Sequence, residues 1–310
     1  MAAGTTDITQ NDVLSAENLQ KCFDNYLLVD VGAGLTNKKF AKDLDSVIQR
    51  AKDAGLTKIL VTGSSLRTSK EALRLTRIYP GTIYSSTGVH PHDAKSWEPN
   101  YLEDLREIAM NPECVAIGEC GLDYSKDFSS PEVQRDVFEK QVQIACDLKK
   151  PLILREREAH ADFLSVIDKY RANLPVCVLR GFSGTQKEAE CYLDRGCYFT
   201  LSGSLCKDKS DDGMRRLLEQ DILTMDRILV ETDSPFMFPN IRASKLPPAV
   251  KESLTERSLL FLNRYCTFQR NEPCSLPAIV EMISVLIKKK PEEVAFATAF
   301  SALKVFGLSQ

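Results

Sequence analysis

The sequence predicts an α/β fold, a (β/α)8 TIM barrel with additional C-terminal helices, and three observations carry that prediction. Eight short apolar or β-branched runs recur along the chain, helix-period segments separate them, and charged residues gather at the ends of the runs. Buried strands that alternate with helices pair in parallel through right-handed crossovers, and eight such units close most economically as a barrel.

Taken in order, the runs are LLVDV (27–31), KILVTG (58–63), IYSSTGVH (83–90), CVAIGE (114–119), PLILR (151–155), VCVLRGF (176–182), YFTLSG (198–203) and ILVETD (228–233), each bounded by turn or charged residues. Between them, Ala41, Leu44, Val47, Ile48 and Ala51 form one helical stripe, and Phe138, Val142, Ala145 and Cys146 form another. Two further helices are expected around 249–265 and 275–304. The proline-containing segment 237–250 shows no periodicity and reads as a long loop after the last strand. Residues 1–26 read as a polar lead-in, and with no repeat, low-complexity tract or Gly/Ser linker, residues 27–310 are expected to form one barrel domain.

With 310 residues, 43% of them hydrophobic and 27% charged, the chain can bury a sizeable core. Lys and Arg total 40 against 43 Asp and Glu, a formal net charge of -3, so nothing draws the whole molecule toward nucleic acid or an anionic membrane. Any site for a polyanion has to be local. The ten cysteines are dispersed, Cys191 and Cys197 do not make a C-x-x-C pair, and no apolar run reaches the ~18 residues of a membrane span. The expectation is a soluble cytoplasmic or nuclear protein with reduced thiols, without membrane contact and not secreted.

In a barrel of this kind the loops after the strands form the mouth, and reactive groups belong there. His90 ends the third run, Glu119 the fourth and Arg155 the fifth; Arg180 lies near the end of the sixth, and Glu231 and Asp233 end the eighth. Singly, Glu119 can begin a solvated loop, Asp233 can shape the turn before Ser234 and Pro235, and His90 with His92 can be a satisfied loop pair. Together on one face they are hard to explain as packing. Glu231 and Asp233, two residues apart, share a face if both are extended.

The segments VDVGAGLTNKKFAKD, GVHPHD, AIGECGLDYSKDFSSPEVQ, ETDSP and QRNEPCSLP, in this order and spacing, resemble the TatD family of metal-dependent deoxyribonucleases, part of the amidohydrolase-like barrel superfamily. The resemblance spans about residues 27–308. It implies a divalent metal, magnesium, at the barrel mouth, activating water for hydrolysis of phosphodiester bonds in DNA, and also RNA, from the 3′ end. It implies Glu119 and Asp233 as metal ligands, with His90, Glu231 and Asp233 as catalytic residues.

Two departures qualify these implications. The family carries histidine at the end of strand five, in a pattern like PLxxHxRxAH, where this chain has Arg155 in PLILREREAH. It also carries VLHCFxGT on strand six, where this chain reads VLRGFSGT with Arg180. The H-x-H of the wider superfamily is replaced here by Gly32 and Gly34. A guanidinium stays protonated and offers only donors, so neither arginine can replace an imidazole ligand. The expectation is that Arg155 and Arg180 either pair with the carboxylates or grip a phosphate. That leaves two function classes: a metal-dependent 3′–5′ exonuclease with impaired activity, or an inactive relative that binds nucleic acid or a protein partner. His160, five residues past Arg155, is a less favoured candidate to reach the site.

Overall fold

The structure, a computed structural model, describes residues 26–208, 210, 212–241 and 246–308. The expected lead-in over 1–26 lies outside the described residues except for Tyr26, as do residues 242–245 of the expected loop. All eight strands form: β1 (Leu28–Ala33), β2 (Leu56–Val61), β3 (Ile83–Thr87), β4 (Cys114–Asp123), β5 (Leu152–Arg157), β6 (Cys177–Arg180), β7 (Tyr198–Leu201) and β8 (Ile228–Val230). They pair in parallel in chain order from β1 to β8. Seven helices follow β1 to β7 in turn: α1 (Leu44–Asp53), α2 (Leu66–Ile78), α3 (Tyr101–Ala109), α4 (Pro131–Leu148), α5 (His160–Lys169), α6 (Gln186–Leu193) and α7 (Met214–Glu219).

The seam between the first strand and the segment after the last is joined by main-chain bonds, from Asp233 N to Gly32 O at 2.9 Å and from Gly34 N to Ser234 O at 2.7 Å. Asp30 reinforces it. Its fully buried carboxylate accepts from the backbone N–H of Gly32 and Thr232 and from the Thr232 hydroxyl. Burial nevertheless pushes this carboxyl up to about 6, the three hydrogen bonds opposing the shift.

Apolar residues of the helices and the outward strand faces make the main core, where Val47, Ile48 and Ala51 of α1 and Phe138, Val142 and Ala145 of α4 are buried as expected. Ala41 is exposed and precedes α1, and Cys146 is only half-buried. A second cluster takes Val31, Leu60, Tyr84, Ile153, Val178 and Leu229 from six strands, together with Phe306. Residues from so many strands can meet only inside the barrel.

The long C-terminal helices expected over 249–265 and 275–304 are each broken in two. The first divides into α8 (Pro248–Glu252) and α9 (Glu256–Tyr265), because Thr255 caps a new start by accepting from Ser258 N. The second divides into α10 (Leu276–Leu286) and α11 (Pro291–Phe306), with Pro291 at the first position of the new helix. α8 also takes the last residues of the segment read as loop over 237–250. The strand ends shift by a few residues as well. β4 runs on to Asp123 and β5 to Arg157, whereas His90 lies beyond β3, and Glu231 and Asp233 lie beyond β8.

Candidate active site at the barrel mouth

Strand alternation takes the chain directly from core to site. Ile153, Val178 and Leu229 fill the barrel interior, and two residues further along, on the same faces, stand Arg155, Arg180 and Glu231. Arg155 and Arg180 are register partners on β5 and β6. They line a mouth of about 1370 Å³ together with His90, His92, Glu119 and Asp233.

Arg180 is the hub. It is only 6% exposed, and three of its nitrogens reach three different carboxylates: Nη1 to Glu119 Oε2 at 2.6 Å, Nε to Glu231 Oε2 at 2.6 Å and Nη2 to Asp233 Oδ1 at 2.8 Å. Thr200 Oγ1 donates to the remaining oxygen of Glu231 at 2.9 Å. Glu231 and Asp233 converge here by a turn rather than along an extended strand, since Asp233 has a left-handed backbone with φ of 49°. Gly32 leaves room beside them. A Cβ there would lie 2.0 Å from Glu231 Oε2 and 2.9 Å from Arg180 Nη2, so any side chain at position 32 would displace the Glu231–Arg180 pair as it now stands.

The carboxylates do not share the guanidinium evenly. Burial alone would raise Glu119, but the charges of Arg180, His90 and Arg155 outweigh it and hold this carboxyl at about 2 against its ordinary 4.5. Burial raises Glu231 to about 7 despite Arg180, with the like charge of Asp233 adding to the rise. Burial raises Asp233 as well, again against Arg180. A carboxylate lowered on folding contributes stability that is present above about pH 4.5 and is lost as pH falls toward 2. Glu119→Gln is therefore expected to flatten the fall of Tm over that window, and a slope matching the parent's would count against the Glu119–Arg180 pair.

Arg155 is placed differently. Its Nη1 is 3.9 Å from Glu119 Oε1 and its Nε is 3.7 Å from Asp123 Oδ2, both beyond hydrogen-bond range. Among the described residues, the buried Nε of Arg155 and that of Arg157 have no hydrogen-bond partner. Alternation puts these two guanidiniums on one face of β5, and both line the mouth. Of the two arginines expected to face either carboxylates or phosphate, Arg180 is spent on carboxylates, while Arg155 keeps donors free.

Sequence reasoning missed a second pair. His92 Nε2 lies 3.0 Å from Asp123 Oδ2, and Asp123 Oδ1 accepts from Ser125 N at 3.1 Å and from Ser125 Oγ at 2.6 Å. Burial opposes the charge on Asp123, but the Ser125 and His92 bonds outweigh it and lower its pKa. With Nε2 donating to an ionised Asp123, His92 keeps Nδ1 as an acceptor. His90 is arranged the other way. Its Nδ1 accepts from His92 N at 3.1 Å, and its Nε2 lies 3.6 Å from Glu119 Oε1. Burial lowers the pKa of His90 and favours its neutral form. His160 points elsewhere, to the Tyr192 hydroxyl at 2.8 Å. The signal for the missed pair was the Asp of CGLD, which lies four residues beyond Glu119, the end of the fourth run.

The mouth also carries aromatic side chains. Phe128, Phe236 and Phe268 line it and are 51%, 54% and 68% exposed, with Lys39 over the Phe236 ring at 5.8 Å and Lys207 over Phe268 at 5.5 Å.

Glu119, Glu231 and Asp233 are the donor types a hard divalent ion takes, and the imidazole of His90 is one that a softer ion such as zinc takes. As arranged, they do not fit one. The space where the three carboxylates converge is filled by a guanidinium that bonds to all of them, and among the described residues no three His, Cys, Asp or Glu side chains are disposed to hold a metal.

The family model of TatD-related DNases matches residues 29–307. A protein of Erwinia tasmaniensis named 3′-5′ ssDNA/RNA exonuclease TatD is 37% identical over 281 residues, covering 91% of this chain and 100% of that protein. One of the same name from Salmonella typhimurium is 36% identical over 279 residues, covering 90% of this chain and 98% of its own length. Among solved structures, a TatD-family hydrolase of Entamoeba histolytica superposes with a TM-score of 0.79 at 23% identity, covering 91% of this chain and 98% of that one. A TatD homologue of Escherichia coli superposes at 0.76 and 22% identity, with coverages of 91% and 98%.

Proposed function

Because this chain belongs to the TatD family of hydrolases, we propose that its barrel mouth takes the 3′ end of single-stranded DNA or RNA and hydrolyses the terminal phosphodiester with its own side chains. The observation that carries this reading is the position of Arg155 and Arg157, each with an Nε that has no hydrogen-bond partner among the described residues, at the mouth with the His92–Asp123 pair. Relatives of similar length bear the name ssDNA/RNA exonuclease, which supports the substrate class and the direction.

Each part has a physical task. Arg155 and Arg157 grip the phosphate oxygens and stabilise the charge that grows on them during attack. His92, oriented by Asp123, takes the proton of the attacking water at Nδ1. The water oxygen bonds to phosphorus as the bond from phosphorus to the 3′-oxygen breaks, and the proton passes on to that oxygen. The products are a nucleoside 5′-monophosphate and a strand one residue shorter with a free 3′-hydroxyl. Phe128, Phe236 and Phe268 offer ring faces on which unpaired bases stack, with lysines beside two of them for the backbone.

The test is release of label from 3′-labelled single-stranded DNA and RNA in the presence of EDTA. Release is expected to persist in EDTA and to fall at least ~100-fold in His92→Gln, the scale of a lost general base. No release from either polymer, or a His92→Gln rate equal to the parent's, would sink the hydrolytic reading.

A further inference from the structure

We propose that Arg180 is the resident cation of this site, standing where a divalent ion would bridge Glu119, Glu231 and Asp233 and keeping such ions out. The inference rests on placing the site at the barrel mouth, and it goes beyond the proposed reaction because it concerns what the carboxylates bind before any nucleic acid arrives.

Three features carry it. The first is that the guanidinium meets each carboxylate through a different nitrogen at 2.6–2.8 Å, so one rigid planar group performs the bridging that a metal ion would perform. The second is charge. With Glu119, Glu231 and Asp233 ionised, Arg180 and Arg155 together leave the cluster with one net negative charge, as a single divalent ion would. The third is occupancy of the donor atoms. Glu231 Oε1 is held by Thr200, its Oε2 and Glu119 Oε2 by Arg180, and Asp233 Oδ1 by Arg180. A metal bridging all three carboxylates would have to expel a guanidinium that cannot lose its proton and is almost wholly buried. The carboxylates thus stay poised and paired without depending on metal supply.

Manganese titration of the purified full chain, followed by the EPR signal of free Mn²⁺, tests this without nucleic acid. The parent is expected to show no saturable binding at up to roughly millimolar Mn²⁺, and the Arg155→His, Arg180→His variant is expected to bind one equivalent and lose it when Asp233→Asn is added. A parent that binds one equivalent, and loses it in Asp233→Asn, overturns the proposal. So does a folded histidine variant that binds none, since Arg180 would then not stand in a metal position. Should that variant not fold, Arg180→Ser refolded with manganese replaces it under the same two outcomes. Because this readout involves no strand cleavage, a protein silent toward oligonucleotides but closed to manganese would refute the hydrolytic reading and leave this inference standing.

Discussion

Arg180→Met is expected to destabilise the protein by about 3–5 kcal/mol in denaturant unfolding at neutral pH, the usual scale for removing one partner from a buried ion pair. Methionine fills much of the same volume, so the loss is mainly electrostatic rather than a cavity effect. Without the guanidinium, Glu119 loses its 2.6 Å partner, and Glu231 and Asp233 are left near like charges in a buried site. Protonation is the remaining way to relieve them. A carboxyl raised further by the substitution retains its stability below its unfolded pKa and loses it as pH rises through the folded value, so the deficit is expected to shrink toward about pH 5 and widen toward about pH 8. A loss under about 1 kcal/mol, or one that does not change with pH, would show that the three bonds add little beyond packing. Glu272→Gln serves as the comparison, since it weakens a buried carboxylate's pairs with Arg50 and Arg270 and touches none of the bonds made by Arg180.

The fold was legible because the barrel repeats one simple pattern. The strands are buried on both faces over most of their length and read as short apolar or β-branched runs, and five of the eight are followed directly by glycine or a charged residue: Gly34, Gly88, Glu158, Gly181 and Glu231. Boundaries were less legible. β4 continues through Glu119 to Asp123 because its later residues also pair with β5, including Gly121 with Arg155, and a charge at position 119 looked like an end. The ring of His90, Glu119, Arg155, Arg180, Glu231 and Asp233 followed from strand ends alone. What those side chains do to one another did not. Arg180 reaches Glu119 across 61 positions and Asp233 across 53, and only the curvature of the barrel decides that all three carboxylates meet one guanidinium. Thr200 as the holder of Glu231, and Asp123 as the partner of His92 across 31 positions, depend on the same closure.

Restoring histidine at both departures, in the Arg155→His, Arg180→His variant, is expected to raise manganese-dependent release of 3′-terminal nucleotides by about 100- to 1000-fold over the parent. The argument is geometric first. Positions 155 and 180 are register neighbours on β5 and β6, their side chains face the same mouth, and Arg180 already sits within bonding distance of Glu119, Glu231 and Asp233. Imidazoles there add neutral nitrogen donors to carboxylates that the same substitution frees. A bound divalent ion then contributes several kcal/mol to the stabilisation of charge at phosphorus, and each 1.4 kcal/mol is a factor of ten in rate. Arg155→His alone is expected to gain little, because Arg180 still holds the carboxylates. Activity gained by the double variant has to vanish with EDTA and with Asp233→Asn, whereas the slower release proposed for the parent has to survive EDTA. A double variant that folds, binds manganese and still gains nothing would show that the metal position alone does not limit this barrel, and that the grip of Arg155 on the phosphate was worth more to the parent than the histidine that replaced it.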